Sequence, residues 1–291
     1  MKTREQWLSE RLTGIGASEA AAVLGVSPWA SRFSVWAEKT GAAVRPDVPS
    51  ERMRWGLRLE APIMAEFHER TGREVSLWPQ HEIARHPVHN FMIATPDGYQ
   101  TDPDRGGMGL VQIKNADALQ FRNWDEFAPL VYQIQCQHEM AVVGAAYSDL
   151  VVLVGGNSLK VFPMERDERF LAQLIPALAE FWKLVETKQP PEIDGTEATT
   201  AAIKAIYPED DGETVVLPEE SQAWTDELLE FRAKVKDLEG LIANRENAIK
   251  AAIGTGSYGL LPDGSRWSWK QQTRAAHVVA ESTFRVLRKC K

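Results

Sequence analysis

Apolar residues recur along this chain with two different periods, and the alternation between them outlines the fold. An Ala-rich run over 18–24, with Ser18 or Ala17 near its N-cap, predicts a first helix; Ser31 precedes a second through Phe33, Val35 and Trp36. A longer helix is expected over 54–71, closed by Gly72, with Trp55, Leu59, Ile63 and Phe67 facing inward and a kink or late start at Pro62. Strand-like runs follow at 81–85, 91–95 and 110–115. Turn chemistry between the last two, Asp102-Pro103-Asp104 then Gly106-Gly107, predicts that they form a hairpin. A helix over 128–143, strands at 149–154 and 160–163, and a helix over 167–186 with Phe170, Leu174, Leu178, Phe181 and Val185 inward complete the region, which stops before Pro190-Pro191.

Beyond the prolines the pattern changes. A stretch with one short helix around 199–206 leads to a long helix from Ser221. Its apolar positions (Trp224, Leu228, Phe231, Val235, Leu238, Ile242, then Ile249) alternate by four and three, a coiled-coil-like seam that asks for a partner helix. A hairpin over 257–271 around Pro262-Asp263-Gly264 and a basic tail (Arg285, Arg288, Lys289, Lys291) end the chain. The expected fold class is therefore α/β, a central mixed sheet flanked by helices over residues 1–190. An acidic connector, 191–217, and a helix-and-hairpin extension, 218–291, follow it.

Charge changes this picture where composition does not. The 291 residues, 44% hydrophobic with two Cys, describe a globular protein with a real core and no disulfide framework; the lack of a leader or long apolar run points to the cytosol and away from membranes. The net charge of −8 argues against a polyanionic partner only as an average. Residues 186–230 hold thirteen acids and two bases (net −11), residues 231–291 twelve bases and five acids (+7), and the first 185 residues are near −4.

The candidate chemistry lies in Thr95-Pro96-Asp97-Gly98 and Val111-Gln112-Ile113-Lys114. Residues 112 and 114, two apart on a strand, share a face, and Asp97 is expected at the end of the neighbouring strand. A carboxylate, a second oxygen donor and an ammonium on one face suit metal-assisted phosphodiester hydrolysis. Hard oxygens hold a divalent cation, the cation polarises phosphorus and acidifies water, and lysine steers the nucleophile or steadies the developing charge. Each fragment alone also reads as a turn or a solvated lysine. Three histidines, His81, His86 and His89, lack metal-ligand spacing and read as surface or turn residues; Cys136 and His138, two apart on a helix, do not face each other as nucleophile and base. Trp29, Trp36, Trp55 and Phe33 read as core rather than as a platform for bases.

Taken together, Arg11, Gly16-Ala17-Ser18-Glu19, Trp55-Gly56 with Glu60, Thr95-Pro96-Asp97-Gly98, Gln112-x-Lys114 and Tyr132-x-x-Gln135-x-Gln137 resemble, in order and spacing, the lambda-exonuclease/YqaJ family of viral recombinases. These are restriction-endonuclease-like nucleases with the P-D…(D/E)-x-K signature, and the resemblance spans about residues 5–190. It implies a Mg²⁺-dependent 5′-to-3′ exonuclease on double-stranded DNA ends, with Mn²⁺ as a plausible substitute, leaving 3′ single strands for recombination. Asp97, Gln112, the Ile113 carbonyl and Glu60 would hold the metal, with Lys114 as the catalytic lysine. Arg11 and Ser18 would grip the 5′-phosphate, and Tyr132, Gln135 and Gln137 would line the site. It further implies a phage- or prophage-encoded homotrimer and a single-strand annealing partner.

Gln112 departs from the signature, which has Asp or Glu there. A neutral amide removes one negative charge from a divalent-cation site. The chain is then an active natural variant, an inactivated form, or a homologue that binds DNA ends without cutting; retention of Asp97, Glu60, Lys114, Arg11 and Ser18 favours the first. An endonuclease of the same superfamily would keep the chemistry and change only the grip on the substrate.

Overall fold

The structure, a computed structural model, describes residues 2–43, 50–122, 124, 126–276, 281 and 285–287. Of the basic tail, Arg288, Lys289 and Lys291 lie outside the described residues. The chain divides into two compact units, 1–208 and 209–291. In the first unit the elements run α1 (Arg4–Arg11), β1 (Ile15–Gly16), α2 (Ala17–Val23), α3 (Arg32–Lys39), α4 (Glu51–Thr71), β2 (Glu74–Leu77), β3 (Ala84–Arg85) and β4 (Met92–Ala94). They continue with β5 (Gly98–Thr101), β6 (Met108–Ala116), α5 (Ala118–Phe121), α6 (Leu130–Val143), β7 (Tyr147–Val154), β8 (Ser158–Glu165), α7 (Glu168–Glu186) and α8 (Glu197–Ile206). The second unit holds α9 (Glu220–Ile253), β9 (Tyr258–Leu260) and β10 (Arg266–Ser268).

A five-stranded mixed sheet in the order β2-β5-β6-β7-β8 is the frame. Only β6 and β7 run parallel, joined by the α6 crossover. One face carries Leu110, Leu150 and Val152 against Cys136 and Met140 of α6; the other carries Val111, Ile113 and Val151 against Ile63, Met64 and Phe67 of α4. Each such fully buried side chain contributes roughly 1.5–3 kcal/mol. A third cluster, built from β1, α2, α3, β4, α6, α7 and α8, includes Ile15, Trp36, Leu174 and Phe181. No helix among the described residues is long and apolar enough to cross a membrane.

The hairpin differs from its sequence reading. Its turn is at 102–107 as expected, but the strand entering it is β5, not 91–95. That stretch supplies only β4, which pairs with β1 and β3 in a small separate sheet. Strand β5, Gly98-Tyr99-Gln100-Thr101, lacks apolar alternation, and its first residue looks like a turn glycine. Gly98 is needed for another reason: a Cβ there would stand 2.4 Å from Met64 Cε and 2.5 Å from the Ser76 carbonyl oxygen, so only glycine lets the chain pass between α4 and β2. The edge strand β2 and the helix α1 were also absent from the pattern. Helix α1 carries a Thr3-x-x-Gln6 capping box that sequence alone contained.

Helix α4 begins at Glu51, capped by Ser50, and runs through Pro62 without breaking. Pro62 is exposed, so its lost backbone donor falls on the solvent side. Trp55 and Trp29, expected in the core, are 49% and 63% exposed, while Phe33 and Trp36 are buried. Helix α2 is capped by Gly16, which places Ser18 inside the first turn rather than at the cap. Helix α8, from the stretch read as connector, docks on the first unit through a buried hydrogen bond from Thr199 Oγ1 to Ser31 Oγ (2.7 Å), so the first unit extends to residue 208. In the second unit α9 buries none of its residues, and the seam positions Trp224 to Ile242 are exposed.

Candidate active site

The register of β5 against β6 pairs Gly98 with Val111; continuing it by one residue sets Asp97 opposite Gln112. The side chains meet there. Asp97 Oδ2 accepts hydrogen bonds from Gln112 Nε2 and from the Ile113 backbone N–H (2.6 Å). That donor fixes which way the amide points, because turning it over would set two acceptor oxygens against each other. Gln112 Oε1 is consequently left buried with no hydrogen-bond partner. Lys114, one pleat further along the same face, lies over the Tyr132 ring at 5.6 Å, and Tyr132 in turn packs against Trp29 and Trp124.

Two further carboxyl groups, one on α4 and one on α6, each interact with Asp97 and with Lys114. Burial pushes Asp97 above the ordinary carboxylate range, against the pull of Lys114 and its two hydrogen bonds. Burial and then the charge of Asp97 lift Glu60, on α4, to about 7, with Lys114 opposing. The third group is Glu139 of α6, which is 1% exposed. Burial and Asp97 raise it to about 8, against a hydrogen bond from Gln135 Nε2 to its Oε1 (2.9 Å) and against Lys114. Glu139 Oε2 is buried without a partner.

Glu139 and Gln135 line a small pocket whose other walls are Arg11, Gly16, Ala17, Ser18 and the strand end Ile93-Ala94-Thr95. Arg11 is held toward it from two sides. Its carbonyl accepts a hydrogen bond from Lys39 Nζ (2.7 Å), and its guanidinium lies 3.7 Å from Glu19 Oε1 and over the Trp7 ring. Glu19 is anchored by Lys39 Nζ at 2.8 Å and by the Gly16 N–H at 2.7 Å. Although burial opposes it, the charges of Lys39 and Arg11 hold the Glu19 carboxyl below its ordinary range. One guanidinium and one hydroxyl, Ser18, thus face a pocket that opens beside the Asp97 segment.

Residues 6–146 match the YqaJ-like viral recombinase domain. Over 264 residues the chain is 30% identical to the protein YqaJ of Bacillus subtilis (strain 168), covering 89% of this chain and 81% of that one. The chain belongs to the YqaJ family. Its first unit has the restriction-endonuclease-like fold. The alkaline exonuclease LHK-Exo of Laribacter hongkongensis superposes with a TM-score of 0.52 at 23% identity, over 63% of this chain and 93% of that one; its complex with dAMP gives 0.52 at 24%, with the same coverage.

Against the YqaJ signature, the structure brings together Asp97, Gln112, Lys114, Glu60, Tyr132 and Gln135, with Arg11 and Ser18 in the adjoining pocket. Gln137 is elsewhere: its amide donates to the Glu165 carbonyl (2.7 Å) and accepts from the Asp167 N–H (2.9 Å), tying α6 to the start of α7. Cys136 and His138 are equally structural. Burial raises the thiol and lowers the imidazole to about 4, and His138 Nε2 lies 3.1 Å from the Ile93 carbonyl oxygen. Glu139 is the residue that sequence reasoning missed. The signal was available, because 132, 135 and 139 follow helical spacing along one face of α6.

The donor set fits a hard divalent cation: two buried oxygens without partners, Gln112 Oε1 and Glu139 Oε2, stand among carboxyl groups that burial, and then the charge of Asp97, keeps from ionising. Among the described residues no three His, Cys, Asp or Glu side chains converge on a single point. An ion here would therefore rely on the Gln112 amide and on backbone oxygen as well as on acids.

Proposed function

We propose that this protein is a metal-dependent deoxyribonuclease that degrades linear duplex DNA from 5′-phosphorylated ends. The observation that carries the reading is the meeting of Asp97, Gln112 and Lys114 on one strand pair, with unpartnered buried oxygens, beside a pocket holding Arg11 and Ser18. Family membership supports nuclease chemistry for recombination, and the alkaline exonuclease and its dAMP complex support a site that accepts a nucleoside monophosphate.

Asp97, Gln112 Oε1, the Ile113 carbonyl and Glu60 would hold Mg²⁺, which when bound polarises the scissile phosphate and acidifies water. Lys114 orients that water toward phosphorus and steadies the charge that builds on its oxygens; its position over Tyr132 keeps the ammonium on the site face. Arg11 matches two phosphate oxygens with its planar fork, and Ser18 adds a hydroxyl donor. Glu19 and Lys39 hold Arg11 in place, so the terminal phosphate is gripped while the next bond meets Lys114.

A second reading, a DNA-end-binding protein that does not cut, is favoured by one residue, the neutral Gln112. Incubation with 5′-phosphorylated linear duplex, its 5′-hydroxyl twin and closed circles, with Mg²⁺ or with chelator, separates the readings. Progressive loss of the phosphorylated linear DNA in Mg²⁺ alone is the expected result. Cutting of circles would make the protein an endonuclease, and binding of ends without cutting in any divalent metal would make it the non-catalytic binder.

A further inference from the structure

We infer that Glu139 supplies from α6 the negative charge that Gln112 does not bring to the cation site on β6. The inference rests on the metal-dependent nuclease reading and names the residue that makes it workable in this chain.

The physical problem is the carboxyl group itself. Glu139 sits in the run 134–142, every residue of which is buried, and is 1% exposed. A carboxylate taken out of water is strongly disfavoured unless it is paired. Among the described residues no Lys or Arg forms an ion pair with it, and its only hydrogen bond comes from Gln135. Protonating the group does not satisfy it, since a hydroxyl at Oε2 would find no acceptor. An apolar residue would pack there at lower cost, so the side chain is under-satisfied in both charge states.

Its placement gives the reason. Glu139 lines the pocket that reaches Ala94 and Thr95, two residues before Asp97, and it interacts electrostatically with both Asp97 and Lys114. The side-chain oxygen of Gln112, whose amide is held by the same Asp97, is likewise buried and unpartnered. A neutral amide is an adequate hard donor but brings no charge, and a divalent ion leaving water needs charge from its surroundings. Glu139 carries the same functional group that an acidic residue at 112 would carry, on the neighbouring helix instead of on the strand. With Asp97 and Glu60 among the ligands and no three acids converging on one point among the described residues, Glu139 acts through a bound water, and its contribution is charge.

The test is Mn²⁺ titration of the full chain, stripped of metal, followed by calorimetry or by the resonance of free Mn²⁺. Glu139→Gln should weaken Mn²⁺ binding by about tenfold to a hundredfold. The double variant Glu139→Gln/Gln112→Glu, which returns the carboxylate to the strand, should recover most of that loss. Glutamine is the isostere of the protonated acid, so the metal-free melting temperature serves as the control for folding. Should Glu139→Gln fail to fold, Glu139→Asp and Glu139→Asn give the same comparison, with the charged variant retaining Mn²⁺ and the amide losing it. Equal affinity in parent and Glu139→Gln, in a protein that binds Mn²⁺ and cuts DNA, overturns the inference alone. A double variant as weak as the single also overturns it. A parent that neither binds Mn²⁺ nor cuts DNA overturns the nuclease reading as well.

Discussion

Two buried charged clusters flank the central strands, and they are built on opposite terms. Around Asp149, which is fully buried on β7, both carboxylate oxygens are taken: Oδ1 by Arg105 at 2.7 Å and Oδ2 by Arg73. Arg73 also reaches Asp102 (2.6 Å) and Gln100 (3.2 Å), while Arg105 reaches Glu165 (2.6 Å) and lies over the Tyr147 ring at 4.2 Å. Tyr147 closes the arrangement by accepting the Asp102 N–H, and Gly109 makes room for its ring, since a Cβ there would come within 2.0 Å of it. Around Asp97, by contrast, three carboxyl groups interact with one lysine, and two buried oxygens have no partner. The first cluster is complete as it stands and pins the β5–β6 turn to β7 and β8. The second is incomplete without something positively charged. Buried polar groups left unsatisfied in a folded chain point to a ligand far better than burial or charge alone.

The contrast breaks most visibly if stability is lost at the wrong cluster. Asp149→Asn leaves two guanidinium groups short of a carboxylate and should destabilise the first unit by about 3–5 kcal/mol in urea unfolding. Lys114→Ala should leave that unfolding curve nearly unchanged yet slow DNA degradation by about a hundredfold or more. A Lys114→Ala protein that cuts at the parent rate would remove the site assignment. Arg11→Ala is expected to erase the preference for 5′-phosphorylated over 5′-hydroxyl ends, worth about tenfold, in paired degradation assays.

The smallest effect is on pH. Glu60 and Glu139 in the folded chain titrate at about 7 and about 8, above the ordinary 4.5 of the unfolded chain. The folded state therefore holds protons that the unfolded state has released, and the stability this gives is full below about pH 4.5 and lost as pH rises through both values. His138, lowered to about 4 from 6.5, works in the other direction and loses stability as pH falls below 6.5. In chelator, the two carboxyl groups outweigh the single histidine between pH 4.5 and 6.5, so the melting temperature should be highest near pH 4.5 and fall by roughly 5 °C or more toward pH 9, and Glu139→Gln should flatten that fall. A flat profile would mean that the carboxyl groups are not crowded as described.

Much of the first unit was legible because its signals are local. The four-and-three spacing of α7 and the apolar runs of β6 and β7 each carry their own pattern, and Asp97, Gln112 and Lys114 stand in a recognisable order. What escaped depends on partners far away in sequence. Strand β5 is polar and begins with a glycine whose reason is Met64 and Ser76, thirty-four and twenty-two residues earlier. Trp55 and Trp29 satisfy helical spacing yet face outward, since periodicity gives a face but not what covers it. Gln137 shares a motif with Gln135, but the 100° turn per residue sends it to Glu165 instead of the site. Glu139 was legible as the next step on the Tyr132 and Gln135 face; without the fold, nothing distinguished it from an ordinary helix acid.

The most direct measurement is an anomalous difference map from crystals of the full chain soaked in Mn²⁺. A peak is expected between Asp97, Gln112 Oε1 and the Ile113 carbonyl, with Glu139 turned toward it, and none among Asp149, Arg73 and Arg105. A pocket that stays empty at saturating Mn²⁺, or an ion seated in the Asp149 cluster, would contradict this expectation.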